Sequence, residues 1–253
     1  MTTRWSWVWA VAVAMGCKPA PEAPPQHVVT VSAGPDFTVI GASFVNAAQV
    51  AWREGPCFAV SLRGVDALPS DDGGRVEAWV VAGPVLGHAD RGADGVYRAT
   101  VRARLPEGTR LAAEIAGGGA VARHRWRTPA TVPTAVTRRA PGEGFVLRPS
   151  AGLALAWSGG TSSHVAVSVT VARPSVGSAP EPTWEVTCVV PRAPGQFTIP
   201  AGAFARFRQW PAMVPEAVTV AVVACDRAQE GAYALDAMPV ARPEDLVRGA
   251  LQP

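Results

Sequence analysis

Nucleophilic catalysis needs a hydroxyl or thiol held beside a base. This chain offers one such juxtaposition, at Ser162, Ser163 and His164 after the glycine pair Gly159-Gly160. Adjacent residues at the start of a strand face opposite ways, so the run reads as a hairpin turn rather than a catalytic pair. No Gly-x-Ser-x-Gly elbow occurs. The other histidines, His27, His88 and His124, have no paired metal spacing. The loop Gly87 to Gly95 gathers His88, Asp90 and Asp94, and two carboxylates with loop carbonyls could hold calcium. Their order is not that of an EF-hand, and Asp with Gly is ordinary turn chemistry. Gly117-Gly118-Gly119 lacks the following helix and lysine of a phosphate loop. The sequence thus presents no catalytic residues, no metal ligands and no cofactor site.

Arginines form the most distinctive chemical pattern. Arg123, Arg125 and Arg127 alternate along one candidate strand, and Arg98, Arg102 and Arg104 along another, with Arg110 between them. In a single meander all seven would share a sheet face. Like charges across strands repel, so such a face would suit an anionic lipid, polymer or protein. The bland alternative is a solvated face. Net charge is +3, too small for a nucleic-acid-binding domain. Of the nine tryptophans, Trp52, Trp79, Trp126, Trp157, Trp184 and Trp210 lie beyond the leader. Tryptophan in a β-sandwich is usually core, and exposed rings would instead make a sugar platform.

Strands must position these residues. The 253 residues are 48% hydrophobic and 17% charged, with 25 Gly and 24 Pro punctuating short apolar runs. Candidate strands are 27–32, 36–42, 47–53, 57–63, 75–82, 96–105, 111–116 and 120–127, then 153–157, 164–172, 183–190, 196–199, 217–226 and 232–240. The clearest alternation is in 97–105, with Tyr97, Ala99, Val101, Ala103 and Leu105 on one side. Short helices are expected at 200–207, where Phe204 and Phe207 stand three apart, and at 243–251, where Pro243, Glu244 and Asp245 make a start signal. Residues 129–142, with Pro129, Pro133 and Pro141, read as a linker between domains at 27–128 and 143–253.

The chain opens MTTRWSWVWAVAVAMGCKPAPEAPPQ. Arg4 precedes an uncharged apolar run, 5–15, too short to span a bilayer core of about 30 Å. Those proportions are a secretory signal's. The run ends Ala14, Met15, Gly16, Cys17. This resembles the lipobox of bacterial lipoproteins, with Ala14 where Leu is commonest. The resemblance implies a signal peptide at 1–16, with diacylglycerol and palmitate-type acyl chains on Cys17. It also implies a place in the cell envelope, at the outer membrane or its periplasmic face, with the membrane as partner. Residues 17–26 carry Pro19, Pro21, Pro24 and Pro25, as an extended tether would.

An exported chain lives where disulfides persist. With Cys17 lipidated, Cys57, Cys188 and Cys225 remain, and the placement of Cys188 and Cys225 on second-half strands predicts their pairing. The stretch GVYRATVRARLPEGTRLAAEIAGGGAVARHRWRT (95–128) resembles the closing meander of bacterial immunoglobulin-like or fibronectin-type modules. The expected fold is therefore mainly β, two immunoglobulin-like sandwiches after a signal peptide and tether. The expected role is non-catalytic, structural or binding. A carbohydrate- or anionic-polymer-binding module, or an enzyme with a loop-built site, are the alternatives.

Overall fold

The computed structural model describes residues 27–44, 50–62, 72–93, 97–119, 121–172, 183–209, 214–242 and 245–252. The leader, Cys17, the tether, Asp94, Trp210, Pro243 and Glu244 lie outside them.

The chain is mainly β, as expected. Its strands are β1 His27–Ala33, β2 Thr38–Phe44, β3 Trp52–Glu54, β4 Cys57–Leu62, β5 Val76–Val80, β6 Val85–Ala89, β7 Tyr97–Val101, β8 Arg110–Ile115, β9 His124–Arg125 and β10 Ala130–Thr131. There follow β11 Val136–Ala140, β12 Phe145–Leu147, β13 Leu153–Gly159, β14 His164–Val171, β15 Thr183–Pro191, β16 Gln196–Ile199, β17 Val214–Glu230, β18 Tyr233–Pro239 and β19 Leu246–Leu251. Among the described residues they form sheets of eleven, five and three strands. The large sheet runs β3-β4-β15-β14-β17-β18-β1-β2-β7, with β19 and then β12 branching from β17.

Two apolar cores lie against this sheet. One is covered by β11-β13-β16 and holds Val165, Val167, Val169 and Val171 of β14 with Leu155, Trp157, Trp184 and Phe204. The other is covered by β10-β8-β5-β6 and holds Val29, Val31, Ile40, Phe44, Tyr97, Leu111 and Trp126. Every second residue of β14 is buried, the period that makes one wet and one dry face. Gly87 lets β6 lie close over the large sheet, since a Cβ there would stand 2.7 Å from Val101 Cγ1. Tyr97 is buried with its hydroxyl satisfied: it donates to Asp72 Oδ1 at 2.9 Å and accepts from Gly73 N at 2.9 Å.

The division into halves is not the expected one. Strands β3 and β4, from the first half, extend the second core's sheet, and Cys57 and Ala59 belong to that core. In return β18 sits beside β1, and Ala228, Leu235 and Ala237 belong to the first core. Strand β17 runs through both, pairing β14 over 218–225 and β18 over 226–230. The segment 129–142 is no plain linker. It contains β10 and β11 and buries Ala130, Val132 and Val136.

The short helix expected at 200–207 forms, and two other local expectations are corrected. Residues 201–209 are a 3₁₀ helix, whose three residues per turn put Phe204 and Phe207 on one buried side. Residues 246–251 are strand β19 instead of a helix. Val247, Gly249 and Leu251 alternate as buried, and pairing with β12 and β17 overrides the helix-start signal. The meander expected at 95–128 does not form, because β7 pairs β2 while β8 pairs β5. After Ile115 the chain turns through Gly117 (φ 85°), and His124–Arg125 and then Ala130–Thr131 return to pair β8.

The disulfide joins Cys57 to Cys188, not Cys188 to Cys225. Cys57 and Cys188 face each other across β4 and β15, with Cα atoms 4.1 Å apart. Cys188 stands opposite Val167, which stands opposite Val222. Cys225 is therefore two strands across and three residues along, about 14 Å away and on the other face of the sheet. A disulfide spans no more than about 7 Å between Cα atoms. Cys225 is buried and not disulfide-bonded.

Candidate functional site

Topology separates the arginines. Arg98 is on β7 of the large sheet, with Arg102 and Arg104 exposed beyond its end. Arg110, Arg123, Arg125 and Arg127 belong to the five-stranded sheet or its flank. The expected single basic face does not exist, because β7 and β8 are in different sheets. Arg123 and Arg125 also converge on a carboxylate: Arg123 Nη2 is 2.5 Å from Glu114 Oε1 and Arg125 Nε is 3.9 Å from Oε2. Arg125 stands over the Trp79 ring, 5.1 Å from its centroid.

The outer face of the five-stranded sheet is ordered in rows. Val76, Ala78, Leu111, Ala113 and Ile115 point into the core. Glu77, Trp79, Ala112 and Glu114 therefore point out. Register places His88 opposite Glu77, Glu77 opposite Glu114 and Glu114 opposite Arg125. The next row is apolar, with Val85 opposite Trp79 and Trp79 opposite Ala112. Val85 is 60% exposed. Of the other tryptophans, Trp126, Trp157 and Trp184 are buried, and Trp52 packs partly buried against the second core. In the 87–95 loop, Asp90 is held by Arg75 at 3.0 Å and by His88 at 3.5 Å.

A second polar cluster sits where β17 passes between the cores. Ser163 and His164 do meet, His164 Nδ1 lying 2.9 Å from Ser163 Oγ. Ser163 Oγ donates to Asp226 Oδ1 at 2.7 Å. The hydroxyl thus lies between imidazole and carboxylate. A Ser-His-Asp nucleophile needs the imidazole in the middle, taking the hydroxyl proton. Here the proton is directed at Asp226, and the trio acts as a clamp. Asp226 Oδ2 also accepts from Thr131 N at 2.8 Å, tying β10 to the seam.

On the neighbouring positions Arg227 makes a bidentate pair with Asp236, both bonds 2.7 Å, with side chains 12% and 4% exposed. Burial opposes the guanidinium charge, but the hydrogen bonds and charge of Asp236 outweigh it and raise its pKa. Burial, with Asp236 nearby, pushes the Cys225 thiol well up. The sequence carried a signal for this pair: Asp236 interrupts the apolar run of β18, and a buried carboxylate requires a partner.

Two histidines have lowered pKa values. Burial lowers His164, helped by Arg227 and opposed by Asp236 and Asp226. Burial lowers His124, helped by Arg127 and opposed by Glu230. His124 also stacks on Tyr233, with centroids 4.2 Å apart. A depressed folded-state pKa favours the neutral ring in the native state. The resulting stability is present above the unfolded value of about 6.5 and is lost as pH falls through the folded value. We expect the urea midpoint to decline from pH 7.5 toward pH 5, in a window above the ordinary carboxylate range. In the double variant His124→Gln/His164→Gln the decline should flatten.

No protein-family model matches the sequence, and no curated protein sequence matches it. Among solved structures the chain is similar to the fibronectin(III)-like modules of Clostridium thermocellum CbhA. That match has 13% identity, covers 92% of this chain and 91% of that one, and has a TM-score of 0.23. It is also similar to E. coli alpha-2-macroglobulin in its native conformation, at 13% identity and a TM-score of 0.23. That match covers 92% of this chain but 14% of the other.

Proposed function

We propose that this chain is a lipid-anchored envelope protein whose β body serves as a binding or structural module. The observation that carries the reading is the succession of Arg4, the apolar run 5–15, Gly16-Cys17 and a proline-rich stretch leading into β1. A diacylated or triacylated cysteine holds a protein stably at a bilayer, where a single chain holds it marginally. The way the body begins supports this. Strand β1 is paired on both sides, parallel to β18 and antiparallel to β2, so a pull on the tether would act on a strand inside the sheet. No helix among the described residues is long and apolar enough to cross a membrane. The proposed partners are the membrane, through lipid on Cys17, and an envelope component at the body's surface. The proposed place is the outer membrane or its periplasmic face.

Growing cells with a clickable palmitate analogue tests the anchor. The wild-type chain should take label and Cys17→Ser should take none. An unlabelled wild type, or label persisting in the variant, would refute it.

A further inference from the structure

We infer that the outer face of the five-stranded sheet is a saccharide platform centred on Trp79, with an uncharged pyranose polymer as its ligand. The inference gives the binding role proposed above a surface and a ligand class, and it rests on that reading.

Trp79 is half-buried on the wet side of β5, although the strand's dry side alone supplies Val76 and Ala78 to the core. A tryptophan facing water on a sheet presents a flat apolar ring with a polar edge. Register sets the exposed Val85 beside that ring on one neighbouring strand and the buried methyl of Ala112 beneath its other edge, a row across three adjacent strands. This strip is about 10 Å long, two inter-strand spacings. Hydrogen-bonding groups border it. His88, Glu77, Glu114 and Arg125 form the row on one side, and Arg110 lies on β8 on the other.

A pyranose ring has the matching character, with an apolar C–H face and a rim of hydroxyls that both donate and accept. Its face would lie on Trp79 while carboxylates and guanidinium groups take the hydroxyls. Arg125 already stands over the indole, 67% exposed, as the group a sugar ring would move aside.

Charge and size select among ligands. Positive and negative groups on this face are interleaved and neutralise one another: Arg123 and Arg125 with Glu114, and Arg75 with Asp90. Such a surface has little to draw a polyanion. The strip covers on the order of 100–200 Å² at strand and residue spacings. A stable protein interface takes about 800 Å² from each partner.

The test is calorimetric titration of the full-length chain, in detergent micelles, with uncharged tetrasaccharides of glucose and of N-acetylglucosamine. We expect one or both to bind and the affinity to survive about 0.5 M salt, since no ion pairing drives it. Trp79→Ala should weaken binding about tenfold or more, as loss of an aromatic anchor does. Val85→Asp, at a position too exposed to disturb the core, should weaken it as well. No heat from either sugar, or affinities unchanged by both substitutions, would overturn the proposal. So would binding confined to an anionic polymer such as polyglutamate and abolished by salt. Palmitate labelling is scored on the same preparations, so a failed anchor and a failed platform are distinguishable.

Discussion

The double variant Cys57→Ala/Cys188→Ala should unfold at least about 10 °C below the wild type, while Cys225→Ala should cost about 1 kcal/mol. The Cys57–Cys188 bond closes a loop across a sequence separation of 131 residues. In the chain-entropy account a loop of that size contributes about 5 kcal/mol, an upper-end figure. The position of the bond adds to the effect. It fastens β4, which comes from the first half of the chain, to β15 in the second core. Without it the short edge pair β3–β4 is held by strand pairing and by the packing of Trp52 and Ala59 on the second core. Non-reducing peptide mapping checks the connectivity, and thermal melts of the variants check the energy. A Cys188–Cys225 peptide would contradict the structure.

The second large effect is expected at the seam. Removing one member of a buried ion pair leaves an uncompensated charge, at a cost of about 3–5 kcal/mol. Asp236→Ala should show that loss in urea unfolding, because the Arg227 guanidinium is 12% exposed and has no room to hydrate in place. Replacing both members, as Arg227→Met/Asp236→Leu, should recover most of the stability. Recovery would show that the pair itself is not the source of stability. A double variant as weak as the single would show that the pair is required where β17 joins the two cores.

The sequence displayed the strands that carry strict alternation. Residues 164–171 and 97–101 bury the predicted sides because valine and tyrosine at every second position have one dry face to choose. It did not display which strands pair. Residues 233–239 look like a hairpin partner of β17, which they are, and give no sign that β1 lies on their other side. The disulfide is hidden for the same reason: Cys57 and Cys188 are neighbours only because β4 joins the far end of the large sheet, beside β15. The expected single arginine face fails for that reason too, since it needed β7 beside β8.

The candidate platform was visible in part. Trp79 stood among residues that are usually core. Its exposure follows from Val76 and Ala78 pointing inward, and its neighbours follow from a register that only the folded sheets reveal. The anchor is of the opposite kind. Its signal is entirely local sequence, from Arg4 to Cys17, and lies outside the described residues.

The anchored protein we propose depends on lipid at Cys17. The most direct measurement is the mass of the N-terminal fragment of the protein isolated from membranes. The fragment should begin at Cys17 and carry diacylglycerol, with or without a further acyl chain. An N-terminus at another residue, or an unmodified Cys17, would contradict it.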